Sequence, residues 1–328
     1  MTRHPAGGRR RQVVAAIPVL SLMLAACGLA GPGTGFSTAG AIAPTPYATA
    51  SVPTARPSAD AMPSVDSCRG SNVEWSALPP VAQAYGRAWN ERDDAKRVEL
   101  LELAWADGGS YVDPTMDGRV VGREPFADHI GAFLAGRPGE YFEPSQWIAS
   151  DEHHGYMQMR WRLCSEAGET VLDGVDFGEL GPDGRIQRAT GFFALEPETP
   201  RPVCASPVGD WSGIPDIARK WAAAGVSDPA TRAALIREIW ADDGSYVDPS
   251  DERPVVGHDA ITERAAGMLW EGAFFEAAAW TDGDDHHHYL RLRWRLCDKD
   301  DAGLEGTDYV ELDDAGQFAR VIGFFEWP

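Results

Sequence analysis

Two stretches of ten residues constrain the fold more than anything else in this chain. Residues 105–114 read WADGGSYVDP and residues 240–249 read WADDGSYVDP, with nine of ten positions identical at an offset of 135. Around them Trp75-Ser76 returns as Trp211-Ser212, Trp161-Arg162-Leu163-Cys164 as Trp294-Arg295-Leu296-Cys297, and Gly191-Phe192-Phe193 as Gly323-Phe324-Phe325. The offset drifts only from 136 to 132, so insertions are few and small. One folding unit is written twice, and each copy has the length of an ordinary domain.

The N-terminus reads as an address rather than as structure. Arg9-Arg10-Arg11 precede an apolar run from Val13 to Leu24, followed by Leu24-Ala25-Ala26-Cys27. The run is too short for a permanent membrane helix. Small residues ahead of a cysteine resemble the lipobox of bacterial lipoproteins, which are cleaved before the cysteine. The expectation is a signal peptide over 1–26, with acyl chains on Cys27 anchoring the mature protein to the outer face of the bacterial cell membrane. From Gly28 to about Ser67 the chain is Ala, Pro, Thr, Ser and Gly with almost no charge, so 27–67 reads as a tether unable to bury a core. Its r.m.s. span would be roughly 35 Å.

Loss of residues 1–26 removes four arginines and no acid, leaving 25 basic against 50 acidic side chains. A surface that acidic repels phosphate backbones, so nucleic acid is not an expected partner. Four cysteines remain beyond Cys27, one early and one late in each copy: Cys68 and Cys164, then Cys204 and Cys297. That placement favours Cys68–Cys164 and Cys204–Cys297, each copy closed on itself, and export makes oxidation plausible. No close Cys-x-x-Cys pair argues for a metal, and none is expected.

Copy one (68–200) opens with an apolar stripe at Val81, Ala84, Tyr85, Ala88 and Trp89, spaced for a helix. A second helix is predicted from Asp94 to Trp105, ended by Gly108-Gly109. A third, from Glu124 to Ala135, puts Phe126, His129, Ile130, Phe133 and Leu134 on one face. Period two then takes over in 156–163, followed by strands near 170–180 and 185–196. Copy two (201–328) matches, with helices near 215–224, 229–241 and 258–270 and strands near 287–297, 304–312 and 318–327. Helices first and strands after mean α+β, with helices gathered on one side of a curved sheet.

This order, with the Asp113-Pro114 turn, Val121-Gly122 ahead of the third helix and the Asp183-Gly184-Arg185-Ile186 hairpin, resembles the SnoaL-like branch of the nuclear-transport-factor-type cone fold. The resemblance covers about 75–196 and 211–327. It implies two tandem cone-shaped α+β barrels, each with three N-terminal helices packed on a curved antiparallel sheet around an apolar pocket. The superfamily includes ketosteroid isomerase and polyketide cyclases alongside non-catalytic domains, so it does not by itself give a function. By similarity to the isomerase, Asp113 falls at the base, and Tyr85 and Asp176 fall at the oxyanion donors. Such a trio suits proton transfer beside a carbonyl. Gly174 and Gly178 flank Asp176 and would leave room for a ligand. In copy two the corresponding residues are Asp248, Trp221 and Asp308, the indole being bulkier than the phenol it replaces.

Each of these residues has a plainer reading: Tyr85 as core, Asp113 as a turn residue, Asp176 as a half-exposed strand residue. His153-His154 and His286-His287-His288 read as solvated hairpin tips, since adjacent histidines on a strand face opposite ways. The expectation is an anchored extracytoplasmic protein binding a small apolar molecule, without a cofactor. The alternatives are isomerase- or cyclase-like proton transfer in copy one and a protein-interaction module. The two copies could pair within the chain through their sheet faces, with Arg160, Arg162, Arg293 and Arg295 supplying charged contacts.

Overall fold

The computed structural model describes Cys68 and residues 73–194, 201–204, 209–269, 271–298 and 301–325. Cys27, the apolar run and the tether lie outside the described residues. Copy one contains helices α1 (Pro80–Ala88), α2 (Asp94–Ala104) and α3 (Arg123–Ala135). Its strands are β1 (Trp105–Val112), β2 (Val120–Val121), β3 (Tyr141–Gln146), β4 (Glu152–His153), β5 (Tyr156–Cys164), β6 (Thr170–Leu180) and β7 (Ile186–Phe193). Copy two repeats them as α4 (Asp216–Val226), α5 (Pro229–Ile239), α6 (His258–Ala266), β8 (Trp240–Val247), β9 (Val255–Val256), β10 (Ala273–Ala279), β11 (Asp285–His286), β12 (Tyr289–Asp298), β13 (Asp301–Leu312) and β14 (Phe318–Phe325).

Each copy forms one seven-stranded sheet, ordered β2-β1-β7-β6-β5-β3 and β9-β8-β14-β13-β12-β10, with β4 and β11 as short additions to β5 and β12. Pairing is antiparallel except that β1 runs parallel to β7 and β8 parallel to β14. Asp93 caps α2 by accepting from the Lys96 amide at 3.0 Å, and Asp228 caps α5 on the Ala230 and Thr231 amides. The glycine pair 108–109 does not end α2; the helix stops at Ala104 and both glycines lie inside β1. β3 and β10 escape the periodicity argument. β3 carries Pro144, which is tolerated because the strand lies at the sheet edge, and β10 reads AFFEAAA, an alanine-rich string that favours helix until the sheet claims it.

Helices cover one face of each sheet. In copy one that core includes Tyr85, Trp105, Phe126, Ile130 and Leu163, all fully buried. The Cys68–Cys164 and Cys204–Cys297 disulfides are formed, each with Cα atoms 5.7 Å apart, and close each copy on itself.

The opposite sheet faces meet each other. Val112, Val175, Phe177 and Phe192 from copy one pack with Val247, Tyr289, Tyr309, Ile322 and Phe324 from copy two in one buried cluster. At its edge four charges interlock. Arg188 bonds Glu179 in its own copy at 2.6 Å and Glu311 across the boundary at 2.8 Å, while Arg320 bonds Glu311 at 2.6 Å and Glu179 at 3.1 Å. The arginines named from sequence do other work. Arg160 pairs with Asp151, Arg162 with Asp173, Arg293 with Asp284 and Arg295 with Glu305, each within its own copy.

The histidine runs are solvated tips only at His154 and His288, which are exposed. His153 Nε2 reaches the Gly323 carbonyl at 2.9 Å and His286 Nε2 reaches the Gly191 carbonyl at 3.0 Å, each in the other copy. Left-handed backbone at His154 (φ 52°) and His287 (φ 51°) turns the chain sharply after each, and the preceding ring is directed into the boundary.

Candidate functional site

In copy one a cavity of about 110 Å³ opens between α1, α3 and the concave sheet face. Its walls are mostly aromatic, including Trp75, Trp89, Tyr111, Phe142 and Trp161, and two acids reach it, Asp113 and Asp176. Both acids are buried, 5% exposed each.

Asp176 projects from the middle of β6. Its Oδ2 accepts from the Tyr85 hydroxyl at 2.8 Å and its Oδ1 from the Trp161 indole at 3.1 Å. Burial pushes its carboxyl up to about 7, against the pull of those two donors and with a small further push from Asp113. Asp113 closes β1. Its Oδ1 accepts from the Thr115 amide at 2.8 Å and hydroxyl at 2.6 Å, which fixes the Asp-Pro turn. His129 Nε2 stands 4.0 Å from its other oxygen. Burial lowers the His129 pKa, only partly opposed by Asp113.

Tyr85 is placed differently from the isomerase analogy. It is fully buried behind Asp176, is not part of the cavity wall, and spends its proton on that carboxylate. Burial and then the Asp176 charge hold its phenol well above the ordinary tyrosine range, so it stays protonated. The polar groups that do converge are Asp113, Asp176 and Tyr111, and Gly191 on β7 is what lets them. A Cβ on Gly191 would lie 2.7 Å from the Tyr111 hydroxyl, 3.1 Å from Asp176 Oδ1 and 3.2 Å from Asp113 Cβ. The room expected from Gly174 and Gly178 is used by the protein itself. The Trp161 ring covers Gly174, where a Cβ would fall 2.2 Å away, and the Met157 side chain covers Gly178.

Copy two keeps the plan and closes the space. Asp308 accepts from Trp221 at 3.1 Å and Trp294 at 3.0 Å, so an indole stands where copy one has the Tyr85 phenol. Burial raises Asp308 to about 6. Tyr246 donates to Asp248 at 2.9 Å, and Gly323 meets Tyr246, Asp308 and Asp248 as Gly191 meets their counterparts. Trp221, Met268 and Phe275 line what is left, a hollow of about 20 Å³.

Sequence reasoning missed Tyr111, Trp161 and Gly191 as site residues. Their signal was present, because all three sit inside the longest exact repeats, but periodicity assigns Tyr111 and Trp161 to core and says nothing of Gly191. No cofactor or metal can be assigned from these side chains: the clusters of close-set ligand atoms among the described residues are Cys68/Glu143/Cys164 and Cys204/Glu276/Cys297, whose sulfurs are taken by the disulfides.

Residues 82–189 match the family of SnoaL-like domains. A candidate isomerase of the SnoaL-like family from Agrobacterium tumefaciens is similar at 36% identity, over 34% of this chain and 93% of that one, with a TM-score of 0.32. A candidate polyketide cyclase from Sinorhizobium meliloti is similar at 18% identity, over 36% of this chain and 99% of that one, with a TM-score of 0.29. A candidate ketosteroid isomerase from Kribbella flavida is similar at 22% identity, over 38% of this chain and 82% of that one, with a TM-score of 0.28. No protein of curated function matches the chain. On the family match, residues 82–189 of this chain are a SnoaL-like domain.

Proposed function

We propose that the protein captures a small, largely apolar molecule in the copy-one cavity, while copy two serves as its closed structural partner. The observation that carries this reading is the contrast between the hollows, about 110 Å³ against about 20 Å³, within one shared plan. An aromatic-walled concavity with a few convergent polar groups is the usual form of a small-molecule site. The lipobox-like Ala25-Ala26-Cys27, the tether and two disulfides support an exported protein held to the outer face of the bacterial membrane through Cys27.

Native mass spectrometry of the exported protein tests the capture. A co-purifying molecule is expected with the natural sequence, lost in Gly191→Val, whose side chain would strike Tyr111, Asp113 and Asp176, and retained in Gly323→Val in copy two. A mass adduct that survives Gly191→Val, or that disappears only with Gly323→Val, would place the ligand elsewhere.

A second reading, proton transfer on the bound molecule, is favoured by one observation. Asp176, with its carboxyl near 7, can hold or release a proton beside Asp113 in a site screened from water. In that reading Asp113 and Asp176 touch the substrate, and Tyr85 and Trp161 position Asp176.

A further inference from the structure

The two copies differ most tellingly at one position of the third helix, where α3 carries His129 and α6 carries Arg264. In copy two the Arg264 guanidinium is set into the polar cluster. It bonds Asp248 Oδ2, pairs with Asp251 at 2.9 Å, donates to Ser250 Oγ at 3.1 Å, and lies over the Tyr246 ring with its central carbon 5.5 Å from the centroid. The turn aspartate and the tyrosine, with Asp251 and Ser250 beside them, therefore accommodate an organic cation, and copy two supplies that cation from its own chain.

Copy one keeps the turn aspartate, a hydroxyl at Thr115 and the tyrosine without the cation, and has Met116 where copy two has Asp251. His129 sits in Arg264's place, its ring 5.6 Å from the Tyr111 ring and its Nε2 4.0 Å from Asp113 Oδ2, and its lowered pKa keeps it neutral. Among the described residues Asp176 has no ion pair, and the one arginine on the cavity wall, Arg137, is engaged by Glu140 at 2.9 Å. Two buried acids thus face a cavity walled by Trp89, Tyr111, Phe142 and Trp161, whose ring faces carry negative potential.

We propose that the copy-one cavity takes a small organic cation, a protonated or quaternary amine with an apolar body, whose charge lies against Asp113 and the Tyr111 ring as the Arg264 guanidinium lies against Asp248 and the Tyr246 ring in copy two, with Asp176 as a second acid on the cavity wall. The proposal rests on the ligand-capture reading and specifies the chemistry of the captured molecule. Copy two shows the subsite already filled by a side chain, and copy one leaves the equivalent place to a visitor.

Calorimetric titration of the full exported chain with choline and with its neutral isostere 3,3-dimethylbutan-1-ol separates charge from shape. Choline is expected to bind at least about tenfold more tightly, as desolvated cation–π and charge-assisted contacts require. His129→Arg, which writes the copy-two arrangement into copy one, is expected to abolish choline binding while circular dichroism stays native. His129→Gln, neutral and of similar reach, is expected to retain it. Should His129→Arg fail to fold, Asp113→Asn gives the parallel test, with a loss of tenfold or more expected. Equal affinity for the alcohol, or a neutral molecule recovered by native mass spectrometry, would overturn the charge assignment and leave the capture site standing. Undiminished choline binding in folded His129→Arg, or no choline binding at millimolar concentration, would overturn the proposal as well.

Discussion

Reducing the protein is expected to cost each copy about 4–5 kcal/mol of folding stability. The disulfides close loops of 96 and 93 residues, and constraining an unfolded chain over that length removes a large part of its entropy. Against a typical domain stability of about 5–15 kcal/mol the loss is severe. Denaturant titration with and without a reductant measures it, and a midpoint unmoved by reduction would show that the unfolded chain gains nothing from being freed. The two bonds should also differ functionally. Cys68 lies seven residues ahead of Trp75, which packs on Gly86 and forms part of the copy-one cavity wall. In copy two Cys204 lies seven residues ahead of Trp211, whose indole donates to the Phe275 carbonyl at 3.1 Å and lines the closed hollow. Cys164→Ser should therefore weaken ligand capture, whereas Cys297→Ser should leave capture intact and lower stability alone.

Those pairings were readable from the cysteines' places in the repeat, as were the helices and the β5–β6–β7 run, because each follows from local spacing or from duplication. What stayed hidden depends on contacts between distant segments. His153 and His286 look like surface residues from their acidic neighbours, and only the meeting of the two sheets turns them toward Gly323 and Gly191. For Tyr85 the plainer reading as core holds, since helical periodicity gives its buried face, but its bond to Asp176 needed the fold. The edge strands β3 and β10 were invisible because an edge tolerates proline and sequence of low strand preference. The exchange of His129 for Arg264 could be seen in the aligned copies, but its meaning needed the geometry of the acids around it.

Between about pH 4.5 and 6.5 two opposed effects act on stability, and substitutions can unmask each of them. His153 and His286 are lowered to about 4 in the folded protein, chiefly by burial at the boundary. An unfolded histidine titrates near 6.5, so in this window the unfolded chain binds protons that the native rings refuse. Their contribution is complete above about 6.5 and is lost as pH falls toward 4. Asp176 and Asp308 are raised to about 7 and about 6 by burial, while an unfolded aspartate titrates near 3.9. Here the native state holds protons that the unfolded chain releases, so their contribution is complete below about 4 and is lost as pH rises through 6 and 7. The slopes oppose each other over the same interval. Relative to the natural sequence, His153→Gln/His286→Gln should lose about 1–3 kcal/mol of stability from pH 4.5 to 6.5, the partial solvation of the histidines being discounted. Relative to the natural sequence, Asp176→Asn/Asp308→Asn should gain about 2–4 kcal/mol over the same interval. Other titrating groups act equally in all three proteins and drop out of the comparison. Urea unfolding of all three proteins across the interval reads these differences, and two variants that tilt the same way relative to the natural sequence, or not at all, would refute the balance.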